Sequence, residues 1–224
     1  MKCIRCGERK AKRECPAAGA PWPAGAPWPA GAPVCPRCCG EGRVLSVACP
    51  ESCPFLEAGR ERDARAYRRV LDRLPPRERE RHEGTLERHP EAIARLEYTL
   101  ARQRFRQRDL ADRDVRDAVD LLLEACRAGD AGILYERTSE NPRVEGVRRE
   151  IRAAVDALGR PREGGERAGP GLPAGAAVEC LEFVRSLVDA FRAEYGADSA
   201  YVDFLARFSP GEEAGGSILV PKGL

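Results

Sequence analysis

Residues 35–56 read CPRCCGEGRVLSVACPESCPFL, and the five thiols they carry, at Cys35, Cys38, Cys39, Cys49 and Cys53, set the character of the front of the chain. Cys35-Pro36-Arg37-Cys38 puts two thiols three positions apart, a spacing that aims both at one ion. Outward from it, Cys3-Ile4-Arg5-Cys6-Gly7 repeats the arrangement, and the small residue after the second cysteine lets backbone amides turn toward sulfur. The 28 residues between Cys6 and Cys35 contain Ala-Pro-Trp-Pro-Ala-Gly twice in tandem, at 20–25 and 26–31. Without those 12 residues the spacing is C-x2-C-x16-C-x2-C, inside the range of four-cysteine zinc sites.

The tandem repeat reads as a duplication inserted in a loop, where added length costs little because closure entropy grows with the logarithm of loop size. Its Pro content predicts a polyproline-like excursion. The alternative is a Pro-rich docking ligand presenting Trp22 and Trp28. Four further cysteines remain in the module. Cys49-Pro50-Glu51-Ser52-Cys53 is a C-x3-C pair, one turn of helix if Pro50 occupies a first helical position, and Cys39 abuts the first site. A second tetrathiolate from Cys39, Cys49, Cys53 and Cys15 is one possible grouping, with Cys15 the member that lacks a partner at knuckle spacing. Val44-Leu45-Ser46-Val47 alternates as a short strand does.

The apolar residues of 1–56 are few and scattered, so burial alone does not fold the segment. Structural zinc contributes on the order of 10–16 kcal/mol. We therefore expect one or two zinc ions in a structural role. The four Cys-Pro dipeptides keep an iron–sulfur cluster open as an alternative, since Cys followed by Pro also occurs in ferredoxin-like runs. Redox use of the cysteines is a further alternative.

The string from Cys35 to Leu56 resembles a pattern of uncharacterised bacterial proteins: a CPxCCG, an Arg, a short apolar strand, then CPxxCP and an aromatic-Leu pair, followed by a helical domain. It covers about a tenth of the chain. The resemblance implies a cysteine module joined to helices, and it implies no activity.

Eight of the ten cysteines lie in the first 53 of 224 residues, which divides the chain into at least two parts. No stretch approaches the roughly 18 apolar residues of a membrane span, and the start of the chain lacks the apolar run of a secretory signal. A cytoplasmic protein is expected, in which closely spaced cysteines stay reduced and serve as ligands. The formal charge is +2, but residues 1–116 carry 25 Lys+Arg against 17 Asp+Glu and residues 117–224 carry 13 against 19. A front at +8 and a back at −6 suit either a polyanion-binding face or two halves that attract each other. Arg5, Arg9, Lys10, Lys12 and Arg13 would carry a nucleic-acid contact, the alternative to a protein partner. Arg outnumbers Lys by 34 to 4, as a GC-rich coding sequence produces without selection for binding. No nucleophile, acid/base pair or phosphate loop stands out, so a non-enzymatic role is expected.

The rest of the chain has helical apolar spacing. Tyr67, Val70, Leu71 and Leu74 form one stripe, Ile93, Leu96 and Leu100 a second, and Val115, Val119, Leu122 and Cys126 a third that starts near Asp114. Val144, Val147, Ile151, Val155 and Leu158 form the next. Leu181, Val184, Val188, Phe191 and Tyr195 precede a short helix with Tyr201, Phe204, Leu205 and Phe208. The fold class expected is mainly α: a cysteine-rich module with short strands over 1–56, a helical domain of about six helices over 57–209 with a Gly/Pro linker at 160–175, and a tail over 210–224. Ser217-Ile218-Leu219-Val220 in that tail reads as a short strand able to pair with Val44–Val47. Arg102, Arg104, Arg106 and Arg108 spread around a helix as a solvated surface, and His82 and His89 read as surface residues too far apart for one metal. Tyr135-Glu136-Arg137 forms a polar junction, and Cys126 and Cys180 fall on apolar faces as core residues.

Overall fold

Proline starts five of the eight helices in the computed structural model, which describes residues 1–17, 31–45, 47, 49–130, 137–158 and 172–208. A proline at the first helical position gives up an N–H that would have no partner there, and its fixed φ suits the helix. The helices so opened are α1 (Pro36–Gly42), α2 (Pro54–Asp72), α3 (Pro76–Arg88), α4 (Pro90–Arg106) and α6 (Pro142–Leu158). The others are α5 (Asp112–Asp130), α7 (Ala174–Tyr195) and α8 (Ala200–Phe208). Strands β1 (Arg13–Cys15) and β2 (Ala32–Val34) pair antiparallel with Cys15 opposite Ala32 and Arg13 opposite Val34. The fold is mainly α, with one small sheet beside the cysteines among the described residues. No described helix is long and apolar enough to cross a membrane.

The chain divides into two compact units within α2, the first holding Met1–Tyr67 and the second beginning at Arg68. The first unit therefore reaches past residue 56 and takes in the front of α2. In the second unit α5 packs on α7 and α6, and α4 on α8 and α6. The stripes read from the sequence supply that core: Leu96, Leu100, Val115, Val119, Val147, Ile151, Val184 and Val188 are all buried. Each such side chain contributes about 1.5–3 kcal/mol relative to an exposed one. Phe191 of α7 meets the rings of Tyr201 and Phe204 of α8 at 5.3 and 4.8 Å between centroids, which seats the short last helix.

Among the described residues seven helices follow α1, where about six were expected; the helix without a readable stripe is α3, which has almost no apolar residues to show a period. Its buried positions are His82 and Thr85. His82, expected at the surface, is 3% exposed and lies 4.6 Å from the Phe183 ring of α7. Here an imidazole does the packing that an aliphatic residue would do in a more apolar helix. His89 caps α3 and is 20% exposed, so it too is drawn in. Where a strand was expected at 44–47, Val44 and Leu45 lie in a turn. The chain turns back on the end of α1: Val47 N–H donates to Gly42 O at 3.0 Å, Val44 takes a φ of 65°, and an isolated Arg43–Val47 bridge is what remains. Four alternating residues without an adjacent strand edge leave the turn as the better outcome. The strands that do form flank the tandem repeat. The repeat as far as residue 30, most of the 160–175 linker, Tyr135, Glu136 and the 217–220 strand lie outside the described residues; α7 begins at Ala174, inside that linker.

Among the remaining expectations, Cys180 is buried and Cys126 half-buried. Arg104 is drawn into the bundle by Asp203 at 2.7 Å, while Arg102 lies 5.9 Å over the Tyr98 ring and Arg106 faces Glu150 at 3.9 Å. Arg137 pairs with Glu124 at 3.7 Å.

Candidate metal centre

Two short segments, each shaped by its own backbone bonds, bring four thiols together. In the first, Gly7 N–H donates to Cys3 O at 2.8 Å and Gly7 adopts a φ of 66°, which a side chain would resist. Cys3 N–H donates to Arg9 O at 2.8 Å and Lys2 bridges Lys10, so the turn closes as a miniature hairpin. In the second, β2 delivers Cys35 as the N-cap of α1, where its sulfur accepts from Cys38 N–H at 3.4 Å. Ile4 N–H donates to Pro33 O at 2.9 Å and ties the two segments. The sulfurs of Cys3, Cys6, Cys35 and Cys38 all lie within 4.8 Å of one another. Cys3, Cys35 and Cys38 are buried and Cys6 is half-buried. These four cysteines can hold a metal ion.

The surroundings favour negative charge on Cys6 and Cys35. Arg9 contributes twice, its backbone N–H reaching the Cys6 sulfur at 3.5 Å and its guanidinium the Cys38 sulfur at 3.8 Å. Arg5 anchors the same turn through Cys38 O at 2.8 Å. The Cys38 N–H is the main reason that the Cys35 thiol is lowered to about 6, against the opposing effect of burial. Cys6 is lowered chiefly by the Arg9 N–H, then by that of Glu8. Burial, followed by hydrogen bonding with Cys35 and Cys6, pushes Cys38 up to about 12. A bound cation would displace the thiol protons and take all four as thiolates.

The other metal-ligand candidates lie outside this group. Cys15 ends β1 and Cys53 immediately precedes α2, both buried, while Cys39 on α1 and Cys49 are half-buried. Of the basic residues proposed for nucleic acid, Arg5 and Arg9 turn inward to the site and Arg13 stacks 4.7 Å over the Phe55 ring. Lys10 and Lys12 are exposed.

Two features were not found by reading the sequence. One is Arg9 as a donor to thiolates, signalled only by a basic residue three positions after Cys6. The other is a buried pair in the same unit: Arg43, 4% exposed, crosses Gly59 of α2 to reach Asp63. A Cβ at Gly59 would collide with that guanidinium, so the glycine is a passage for the arginine. The Arg of the quoted cysteine string is this residue. No protein-family model matches the chain, and neither curated proteins nor solved structures give a significant match.

Proposed function

We propose that this chain is a cytoplasmic zinc-binding protein whose front unit is held by a structural metal and whose helical unit is an interaction or regulatory domain for a protein partner. The observation that carries the reading is the closure of Cys3, Cys6, Cys35 and Cys38 to within 4.8 Å. Tetrahedral zinc at about 2.3 Å from each thiolate sets sulfurs about 3.8 Å apart, so a small contraction completes the site. An iron–sulfur cluster places irons and sulfides between its thiolates and needs them more widely spaced. A single ion is the better fit. Four protein ligands also leave zinc no open position for a substrate, which is the mark of a structural site. The apolar cluster around the cysteines supports the same role, because its other members, Ala17, Ala32, Val34 and Val47, are too small to carry a fold of this size. The resemblance of residues 35–56 to bacterial cysteine-module proteins agrees with a module of this kind.

Nucleic-acid binding is the weaker reading, since three of its five cations have internal contacts that compete with phosphate. Metal analysis after purification under reducing conditions tests the proposal. Zinc bound in whole-number proportion is expected, with salt-independent failure to be retained on immobilised DNA or RNA. Iron with visible colour, or protein folded without metal, overturns the first part; retention that weakens steeply with salt overturns the second.

A further inference from the structure

We propose that Cys15, Cys39, Cys49 and Cys53 form a second tetrathiolate zinc site, separate from the first, that ties the β1–β2 hairpin and α1 to the start of α2. The placement of each thiol follows from its element. Cys39 follows Cys38 on α1, and neighbours on a helix project about 100° apart, so the residue after a first-site ligand is turned away from that ion. Cys49 and Cys53 are drawn together by a tight turn in which Cys53 N–H donates to Pro50 O at 2.9 Å. Cys15 is 7% and Cys53 5% exposed. Cys39 and Cys49 pack against the cluster that contains Cys15.

The electrostatics of Cys49 agree with its packing against the cysteine cluster. Burial is the main cause that pushes the Cys49 thiol up to about 11, and the charges of Cys53, Cys15 and Cys39 add to it. The Val44 N–H donates to the Cys49 sulfur, as Arg9 N–H does to Cys6 in the first site. Val44 does so from a φ of 65°, which a β-branched residue adopts only under constraint. The second four sulfurs are not closed to the 4.8 Å of the first, and Cys39 and Cys49 retain contact with solvent, which leaves an ion a way in.

The two ligand sets interleave along the chain, with Cys15 between the halves of the first site and Cys39 directly after it. Each ion would then hold the hairpin closed for the other. No disulfide links the ten cysteines, so their thiol groups are in the oxidation state that zinc requires.

The test uses zinc on the full chain, counted by native mass spectrometry after reducing purification. Two ions per chain are expected, falling to one in C49S/C53S. One ion in the parent, or an unchanged count in C49S/C53S, overturns the second site and leaves the first intact; no ion in the parent would overturn both. Should C49S/C53S fail to fold, cobalt titration of the metal-free parent decides. A thiolate-to-cobalt charge-transfer band that grows to two equivalents supports the site, and one that stops at a single equivalent overturns it.

Discussion

At the residue scale, charged side chains in the first unit act on named partners. Arg9 meets two sulfurs of the candidate centre, and its own proton is held more tightly by Cys35 and Cys38 in return. Groups that orient metal ligands and support their charge typically carry a 10–100-fold share of affinity. Arg9→Ala should therefore lower zinc affinity by about 10–100-fold in competition with a chromophoric chelator; unchanged affinity would show the contact to be incidental. The Arg43–Asp63 pair makes a separate claim. Both side chains are buried, so removing one strands the other's charge in the interior. Asp63→Ala should cost about 3–5 kcal/mol in denaturant unfolding. Gly59→Ala should also destabilise, because its methyl would displace the same guanidinium. A midpoint unchanged in both variants would contradict this reading of the pair. The arginine was legible in the quoted string, but its partner was not, because nothing in sequence says which of many acids faces a given base.

At the element scale, the helices with regular apolar stripes were legible and α3 was not. Hydrophobic period is a signal only where burial is done by apolar residues, and α3 buries His82 and Thr85. The strand expected at 44–47 was misplaced for a related reason: alternation over four residues does not identify a partner, whereas the pairing of β1 with β2 depends on chain closure around the repeat. Deleting Ala20–Gly31 removes both repeat copies and leaves a glycine, Gly19, directly before Ala32. That glycine takes the place of Gly31, whose φ is 74° and whose N–H donates to Cys15 O at 2.9 Å. The hairpin then closes over Pro16-Ala17-Ala18-Gly19, a common loop length. Metal content and melting temperature should be nearly unchanged. Loss of metal in the deletion would mean that the repeat supports the site.

Helix α8 supplies the pH dependence of the second unit. Its Tyr201 and Val202 N–H groups donate to Asp112 at 3.0 and 3.1 Å, and Tyr201 Oη donates to Glu97 at 3.1 Å. Burial raises Asp112 from 3.8 to about 6 and Glu97 from 4.5 to about 7. Glu97 keeps part of its surface in water, which softens the push. For acids raised on folding, the folded form holds protons that the unfolded chain releases first. Their contribution is complete below the unfolded values and is lost as pH rises through the folded ones. Glu97→Gln keeps an acceptor for Tyr201 and removes the charge. Its melting temperature should match the parent at pH 4 and exceed it at pH 8; a lower value at pH 8 would contradict the assignment.

At the scale of the whole molecule, two units of different make-up share one chain. The second buries aliphatic stripes from its helices and needs no ligand to account for its core. Around its cysteines the first has small apolar residues, eight thiols and a few turns held by single backbone bonds. Its two-part character was legible because cysteine and apolar residues separate so sharply along the sequence. The boundary was less so, since α2 continues through it without a break at Tyr67. The central claim is that metal holds the first unit folded while apolar burial holds the second. Its most direct test is chelator titration of the intact protein followed by amide resonances in two-dimensional NMR. Signals from residues 1–67 should collapse to unfolded positions as metal leaves, with those from 68 onward nearly unmoved and most helical circular dichroism retained. Signals of the first unit that stay in place without metal, or a collapse of both units together, would contradict the account.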